Sequence, residues 1–409
     1  MRGGVIWVAI AASLAGCGGS APADTAAGDA PLETRERNAT RYQPAFAGQT
    51  RIAGIRDSVQ LEVQEMTHQL NMPWAVELLP DGRFLVAERP GTLRIADSDG
   101  RLTQVSGVPR VLAQGQGGLL DVALDPDFPT NRTIYFSYAE PRVGGNGTTL
   151  ARAVLHESGG TASLANLSVI FRQLPTFQSQ LHFGSRIAFG RDGKLFLSLG
   201  ERSVPAGRVQ AQDLASHFGK VIRINTDGSV PPDNPFVGRA DAKPEIWSYG
   251  HRNVQAAAID SVTGKLWIVE HGPRGGDELN HPEPGRNYGW PVITYGIDYP
   301  GPPIGDGIQQ KEGMEQPVYY WDPVIAPSGM MVYRGALFPQ WQGSIFIGAL
   351  GGMKLVRLQM DGDRVAGEEW LLAERRARIR DVQQGPDGSV YVLTEEGSSS
   401  KLLRLRPAT

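Results

Sequence analysis

The chain has 409 residues, with 40 Lys and Arg against 43 Asp and Glu and a formal net charge of -3. That length holds one to three domains, and all-β folds often use it as a single unit. No basic run is interleaved with aromatic residues, which argues against a nucleic-acid partner.

The N-terminus opens Met1-Arg2, continues with an apolar stretch from Val5 to Leu14, and then reaches small residues and the only cysteine, Cys17. A charged start, a short apolar core and a small-residue zone make an export signal too short to span a bilayer. Leu14-Ala15-Gly16-Cys17 resembles the bacterial lipobox, which implies cleavage after residue 16, acylation of Cys17, and an exported periplasmic or cell-surface lipoprotein held to the membrane. An ordinary cleaved signal with an incidental cysteine is the alternative. Removing residues 1–16 takes away only Arg2, so the mature chain is one charge more negative. Residues 17–48 are small, polar and Pro-containing and read as a flexible tether, with the folded body, 49–409, beginning near Gln49.

From there a pattern recurs. PDGRFLVAE at Pro80 is followed by GLLDVALDPDFPTNRTIYFSYAE at Gly118, RIAFGRDGKLFLSLGER at Arg186, VQAAAIDSVTGKLWIVEHG at Val254, MMVYRGALFPQWQGSIFIGAL at Met330 and IRDVQQGPDGSVYVLTEE at Ile379. Each copy is an alternating apolar run, a turn with Asp-Gly or a similar pair, and a second run rich in Val, Ile, Phe and Tyr, which is a hairpin signature. One hairpin cannot bury its apolar face alone, whereas radial stacking of copies buries it and protects the sheet edges. Six copies predict an all-β, six-bladed β-propeller. A β-sandwich or a pair of small β-domains is the alternative. The copies are spaced unevenly, so large loops are expected between the central blades, where sites are usually built.

Several motifs stand at the ends of these hairpins. Gln116 lies in a Gly-rich loop, Gln114 to Gly118, that permits close backbone approach to a ligand or forms a plain turn. His182, in LHFGSR, precedes the third inner run and suits a general base near neutral pH, although a lone histidine is more often structural. Glu201 ends the same hairpin, where it would return to orient the imidazole. YGHRN sets Arg252 beside Asn253. EHGPRGGDE, from Glu270 to Glu278, and NYGWP after it combine carboxylates with carbonyl-exposing Gly-Pro backbone, which suits Ca²⁺ or else forms a tight loop with solvated acids. His271 and His281 lack a zinc spacing. Arg378 and Arg380 alternate onto one strand face and invite a multi-carboxylate ligand, or form a solvated edge.

In order, MPWAVELLPDGRFLVAER, GQGGLLDVALDPDF, HFGSRIAF, IWSYGHRNVQ, EHGPRGGDELN, NYGWPVITYGIDY and RIRDVQQGPDGSVYVLT resemble the soluble quinoprotein aldose sugar dehydrogenases, from about Leu61 to Leu405. The resemblance implies a six-bladed propeller with pyrroloquinoline quinone and Ca²⁺ at the mouth of its channel. It implies oxidation of an aldose at the anomeric carbon to a lactone, with electrons leaving to an external acceptor such as a quinone or cytochrome. His182 then matches the base, with Arg252 and Glu201 beside it. Gln116, Arg252, Asn253, Tyr299, Ala349, Leu350, Arg378 and Arg380 match cofactor-contacting positions. The carbonyls of Gly272 and Pro273 match ligands of the cofactor's calcium, and Glu278 and the Tyr288 main chain match a second calcium site. Two departures stand out: Gly351 occupies a position where several relatives have lysine, with Lys354 three residues on, and Leu181 replaces a polar residue before the histidine. The competing functions are a non-catalytic propeller that binds a glycan or protein, and a calcium-dependent lactone hydrolase.

Overall fold

The structure, a computed structural model, describes residues 1, 30–56 and 59–408. Cys17 and the rest of the expected signal after Met1 lie outside the described residues. The repeated turn has a local cause. In Pro80-Asp81-Gly82-Arg83 the Asp81 carboxylate accepts the Arg83 N–H at 3.1 Å, and Gly82 supplies the positive φ of +87°. Asp192 and Asp387 do the same for Lys194 and Ser389, each at 3.0 Å, ahead of Gly193 and Gly388. Each turn folds one inner strand onto the next: Pro73–Leu78 onto Phe84–Glu88, Gly184–Phe189 onto Leu195–Leu199, Ile379–Gln384 onto Val390–Thr394.

Four sheets have four strands each and a fifth has eight. The eight-stranded sheet is two antiparallel four-stranded units joined where Leu102–Ser106 meets Thr161–Arg172 in parallel, Val105 opposite Ala162. The described strands thus form six four-stranded units, whose inner strands are Pro73–Leu78, Leu119–Leu124, Gly184–Phe189, Val254–Ile259, Pro327–Val332 and Ile379–Gln384. Each inner strand touches the next and the last touches the first, closing a propeller ring. The ring is sealed by the strand Leu61–Leu70, which pairs with Ser400–Pro407 in the last unit.

Apolar faces fill the spaces between units, for example Trp74, Leu85, Val122 and Phe136 between the first two. The axis itself is polar. Arg186, from the third inner strand, donates to Asp121 of the second at 2.8 Å and lies 3.3 Å from Asp381 of the sixth, with its guanidinium 4.5 Å from the Trp74 ring of the first. A buried guanidinium is tolerated only when paired in this way, so the contacts tie four units across the axis.

Residues 30–48, expected to belong to the tether, are packed against the propeller. The Asn38 and Ala39 N–H groups donate to the Asp322 carboxylate at 2.8 and 2.9 Å, Arg51 reaches the Glu33 and Asp322 carbonyls, and Tyr42 is buried. Ile55 and Ala53 flank Glu368 by backbone bonds of 2.7 and 3.1 Å, adding an edge to the fifth unit. The folded body therefore includes residues from about 30 onward. Polar anchoring of this kind leaves no apolar periodicity for a sequence reading to detect.

Candidate functional site

The segments that lead into inner strands carry Gln116, His182, Arg252, Asn253 and Arg378, while Glu201, Gly272 and Pro273 follow the second strands of their hairpins. Gly184 pairs with Leu199, so the residues just outside that hairpin, His182 and Glu201, return to the same point. Their Nδ1 and Oε1 atoms are 3.2 Å apart. His182 has φ +48°, and Arg202 and Ser203 after the partner strand have +73° and +69°. Such non-glycine backbone costs about 1–3 kcal/mol per residue and persists only where its surroundings impose it. Here Gln116 Oε1 accepts the His182 N–H at 2.8 Å, and Gly200 leaves room for the His182 carbonyl, which a Cβ would meet at 2.1 Å.

Burial pulls the His182 pKa below its usual value, the Arg252 charge pulls it further, and Glu201 opposes both. Burial alone would raise Glu201, but the His182 bond, Arg252 and the Ser203 N–H hold its carboxyl below the ordinary range. An ionised Glu201 places the ring proton on Nδ1 and leaves Nε2, which has no bond among the described residues, as a lone-pair acceptor. That is the state a general base requires.

Arg252 comes from the loop before the fourth inner strand. Its N–H donates to Glu270 at 2.6 Å, its Nη1 to the carbonyls of His271 and Gly272 at 3.0 and 2.7 Å, and its Nη2 to the hydroxyl of exposed Tyr299 at 3.2 Å. Its guanidinium lies 5.2 Å from the Trp290 ring, and its Nε is buried without a partner. Asn253 Oδ1 accepts the Gly184 N–H at 3.1 Å, linking this loop to the histidine's.

Asp277 organises the Gly-Pro loop: Oδ1 accepts the Gly272 N–H at 2.7 Å, and Oδ2 accepts those of Ile325 and Ala326 at 2.8 Å. Burial raises the Asp277 pKa to about 7. Glu278 lies well above the carboxylate range, first because of burial and then because of the Glu270 charge. Asn280 Nδ2 bridges Glu270 at 3.2 Å and Glu278 at 3.3 Å, while its Oδ1 is buried without a donor. The Tyr288 ring stacks on His251 at 4.9 Å, and its hydroxyl donates to the His281 carbonyl at 2.6 Å. Paired acids, an orphaned amide oxygen and main-chain carbonyls are the oxygen donors a hard cation takes; of these, Glu270 and the Gly272 carbonyl also accept from Arg252, and Glu270 Oε1 lies 2.9 Å from His251 Nδ1. Among the described residues, no group of three or more His, Cys, Asp or Glu converges as a metal cluster.

Arg378 and Arg380 do share a face, but they are not free cations. Both grip Glu395, Arg378 Nη2 at 3.1 Å and Arg380 Nε at 2.5 Å, and Arg380 Nη1 also donates to Gln255 at 3.1 Å. One carboxylate thus serves two guanidiniums, leaving a surplus of positive charge. Arg378 Nη1 lies 3.5 Å from the Leu350 carbonyl. Ala349 is fully buried in its strand opposite Pro327, so its side chain is closed to a ligand. Lys354 turns away, its Nζ 3.0 Å from the Trp370 ring centroid, and burial lowers its pKa to about 8. Leu181 is 40% exposed beside the histidine.

Sequence reading missed Arg202 and Glu395, and took Glu270 only as part of the candidate calcium loop. A signal for the glutamates existed, because the second strand of four repeat copies ends on or within two residues of Glu88, Glu201, Glu270 and Glu395. His271 was weighed only for zinc. Its Nε2 is buried without a partner, and burial, then Arg252, His182 and Arg380, push its pKa to about 3.

Residues 70–404 match the family described as Glucose / Sorbosone dehydrogenase. Aldose sugar dehydrogenase YliI of Escherichia coli strain K12 is 44% identical over 351 residues, 85% of this chain and 93% of that protein. The crystal structure of the soluble aldose sugar dehydrogenase from Escherichia coli in the apo-form superposes with a TM-score of 0.81 at 43% identity, covering 85% of this chain and 100% of that one. The PQQ-bound aldose sugar dehydrogenase from Streptomyces coelicolor gives 0.71 at 30% identity, covering 85% and 99%.

Proposed function

The chain belongs to the glucose/sorbosone dehydrogenase family and is an oxidoreductase of the aldose sugar dehydrogenase type, and from that premise we propose that it oxidises aldoses at the anomeric carbon to lactones with pyrroloquinoline quinone and Ca²⁺. The observation that carries this reading is the buried His182–Glu201 pair at 3.2 Å, with Nε2 unbonded beside Arg252. A binding-only propeller has no use for a base held in strained backbone.

The surplus positive charge of Arg378 and Arg380 around Glu395 and the orphaned Arg252 Nε fit a multi-carboxylate cofactor. Arg252, Asn253, Gln116, Tyr299, Arg378 and Arg380 would hold it, with main-chain contacts at Ala349 and Leu350. The Gly272 and Pro273 carbonyls would bind its calcium, and Glu278 with the Tyr288 main chain a second, structural one. When bound, the quinone with its calcium supplies a two-electron acceptor for hydride from the anomeric carbon, and the electrons leave to an external acceptor.

His182 Nε2 takes the proton of the anomeric hydroxyl, and Glu201 stabilises the imidazolium that forms. Arg252 holds the sugar oxygen near the base, and its charge adds to burial in keeping the resting imidazole neutral. Cys17 carries lipid in this proposal and keeps the enzyme at an exported membrane surface; the support is the Leu14-Ala15-Gly16-Cys17 sequence.

The test is an absorbance titration of purified apoprotein with pyrroloquinoline quinone and Ca²⁺, followed by an aldose. Saturable binding and bleaching of the quinone on sugar addition are expected. A protein that oxidises aldoses without taking up the quinone would refute the cofactor assignment.

A further inference from the structure

Arg202 follows Glu201 directly and is fully buried, yet it makes no ion pair with any described residue. A guanidinium withdrawn from water without a carboxylate is expensive and needs a reason. Its hydrogen bonds supply one. Nη2 donates to the Ser179 carbonyl at 2.5 Å and to Asn146 Oδ1 at 2.6 Å, and Nε donates to the Leu181 carbonyl at 3.1 Å. Its plane lies 3.8 Å from the Phe183 ring, and its own carbonyl accepts the Ser179 hydroxyl at 2.6 Å. All but the Asn146 bond fall on residues 179–183, on both sides of His182. Nη1 is left buried without a partner, which a side chain present only to fill space would not do.

We propose that Arg202 is a positioning residue for the base: its planar fork grips the carbonyls of Ser179 and Leu181 and the face of Phe183, imposing the left-handed turn at His182 that sets the imidazole against Glu201. This rests on the reading of His182 as base. An arginine suits the task because its donors are fixed in one plane, whereas a lysine is a point charge on a flexible stem. The charge matters as well. Arg252, Arg202, Glu201 and the neutral His271 all face the imidazole, and the two arginines oppose its protonation.

The experiment uses the full chain loaded with quinone and Ca²⁺, as wild type and as Arg202→Lys, Arg202→Met, Asn146→Ala and His182→Gln. Arg202→Met is expected to lower kcat roughly tenfold to a hundredfold, as about 1 Å of misplacement does, with little change in sugar KM or in quinone affinity by titration. The acid limb of its kcat profile should move to higher pH by about half a unit, because a cation near the base is gone. Arg202→Lys keeps the charge and so keeps the limb in place, but it loses the fork and should still be slow. Should Arg202→Met fail to fold, Arg202→Lys and the milder Asn146→Ala carry the same kcat test. Wild-type kcat in Arg202→Lys across the pH range, with His182→Gln inactive, would overturn the positioning role alone. An active His182→Gln would instead remove the base assignment on which it rests.

Discussion

Glu201→Gln removes the one carboxylate that, among the described residues, touches the imidazole of His182, while leaving the side chain's size unchanged. At the 3.2 Å separation of Oε1 and Nδ1, a full ion pair at an effective dielectric constant of about 20 is worth about 5 kcal/mol. Only part of the imidazolium charge has formed in the transition state. Taking half gives about 2–3 kcal/mol, or roughly 10²-fold in kcat. A tautomer effect adds to this, since a glutamine amide pointing its NH₂ at Nδ1 would move the ring proton to Nε2, where the lone pair is needed. The expected loss is therefore about 10²–10⁴-fold in kcat. The sign of the pH effect follows from Glu201 favouring the charged ring: without it the imidazole is harder to protonate, so the acid limb of kcat moves to lower pH. Steady-state kinetics between about pH 4.5 and 8.5 with saturating quinone, about two units either side of the ordinary histidine value, would measure both. A variant with wild-type turnover and an unshifted limb would show that Glu201 neither orients nor stabilises the base.

Gly351→Lys is expected to tighten quinone binding by roughly tenfold to a hundredfold in an absorbance titration, while Lys354→Ala leaves it unchanged because that ammonium sits on Trp370; loss of binding in Lys354→Ala would reverse the assignment. Chelation should lower both cofactor occupancy and the melting temperature through lost ligand-linked stability, and an unchanged melting curve in chelator counts against calcium. His217 Nδ1 accepts the Leu174 N–H at 3.0 Å and burial lowers its pKa, so its folded form is neutral: its contribution to stability is complete above the unfolded histidine value of about 6.5 and is lost as pH falls below it. The urea midpoint should therefore drop between pH 7.5 and 5.5, about one unit either side of that value, and a His217→Asn protein should show a smaller drop. Cys17→Ser should leave the membrane fraction and keep its fold, and equal partitioning of the two proteins would contradict lipid attachment.

The hairpins were legible in the sequence because their causes are local. An Asp two residues ahead of an N–H, a Gly at positive φ and alternating apolar residues all act within about ten positions, and the copies of that phrase carried the propeller. The same locality explains why the His182–Glu201 pairing could be anticipated: both residues flank one hairpin, and its register brings them together. What only the tertiary structure decided are contacts between chain-distant polar groups. Asn38 reaches Asp322 across 284 positions, Arg380 meets Gln255 across 125, and Arg202 holds Asn146 across 56. Glu395, Arg202 and the buried face of His271 acquire roles through those contacts, as does the turning of Lys354 toward Trp370. A hydrogen bond needs one donor and one acceptor at about 3 Å and imposes no period on the residues between them, so the sequence that encodes it carries no visible trace until the chain has closed the ring.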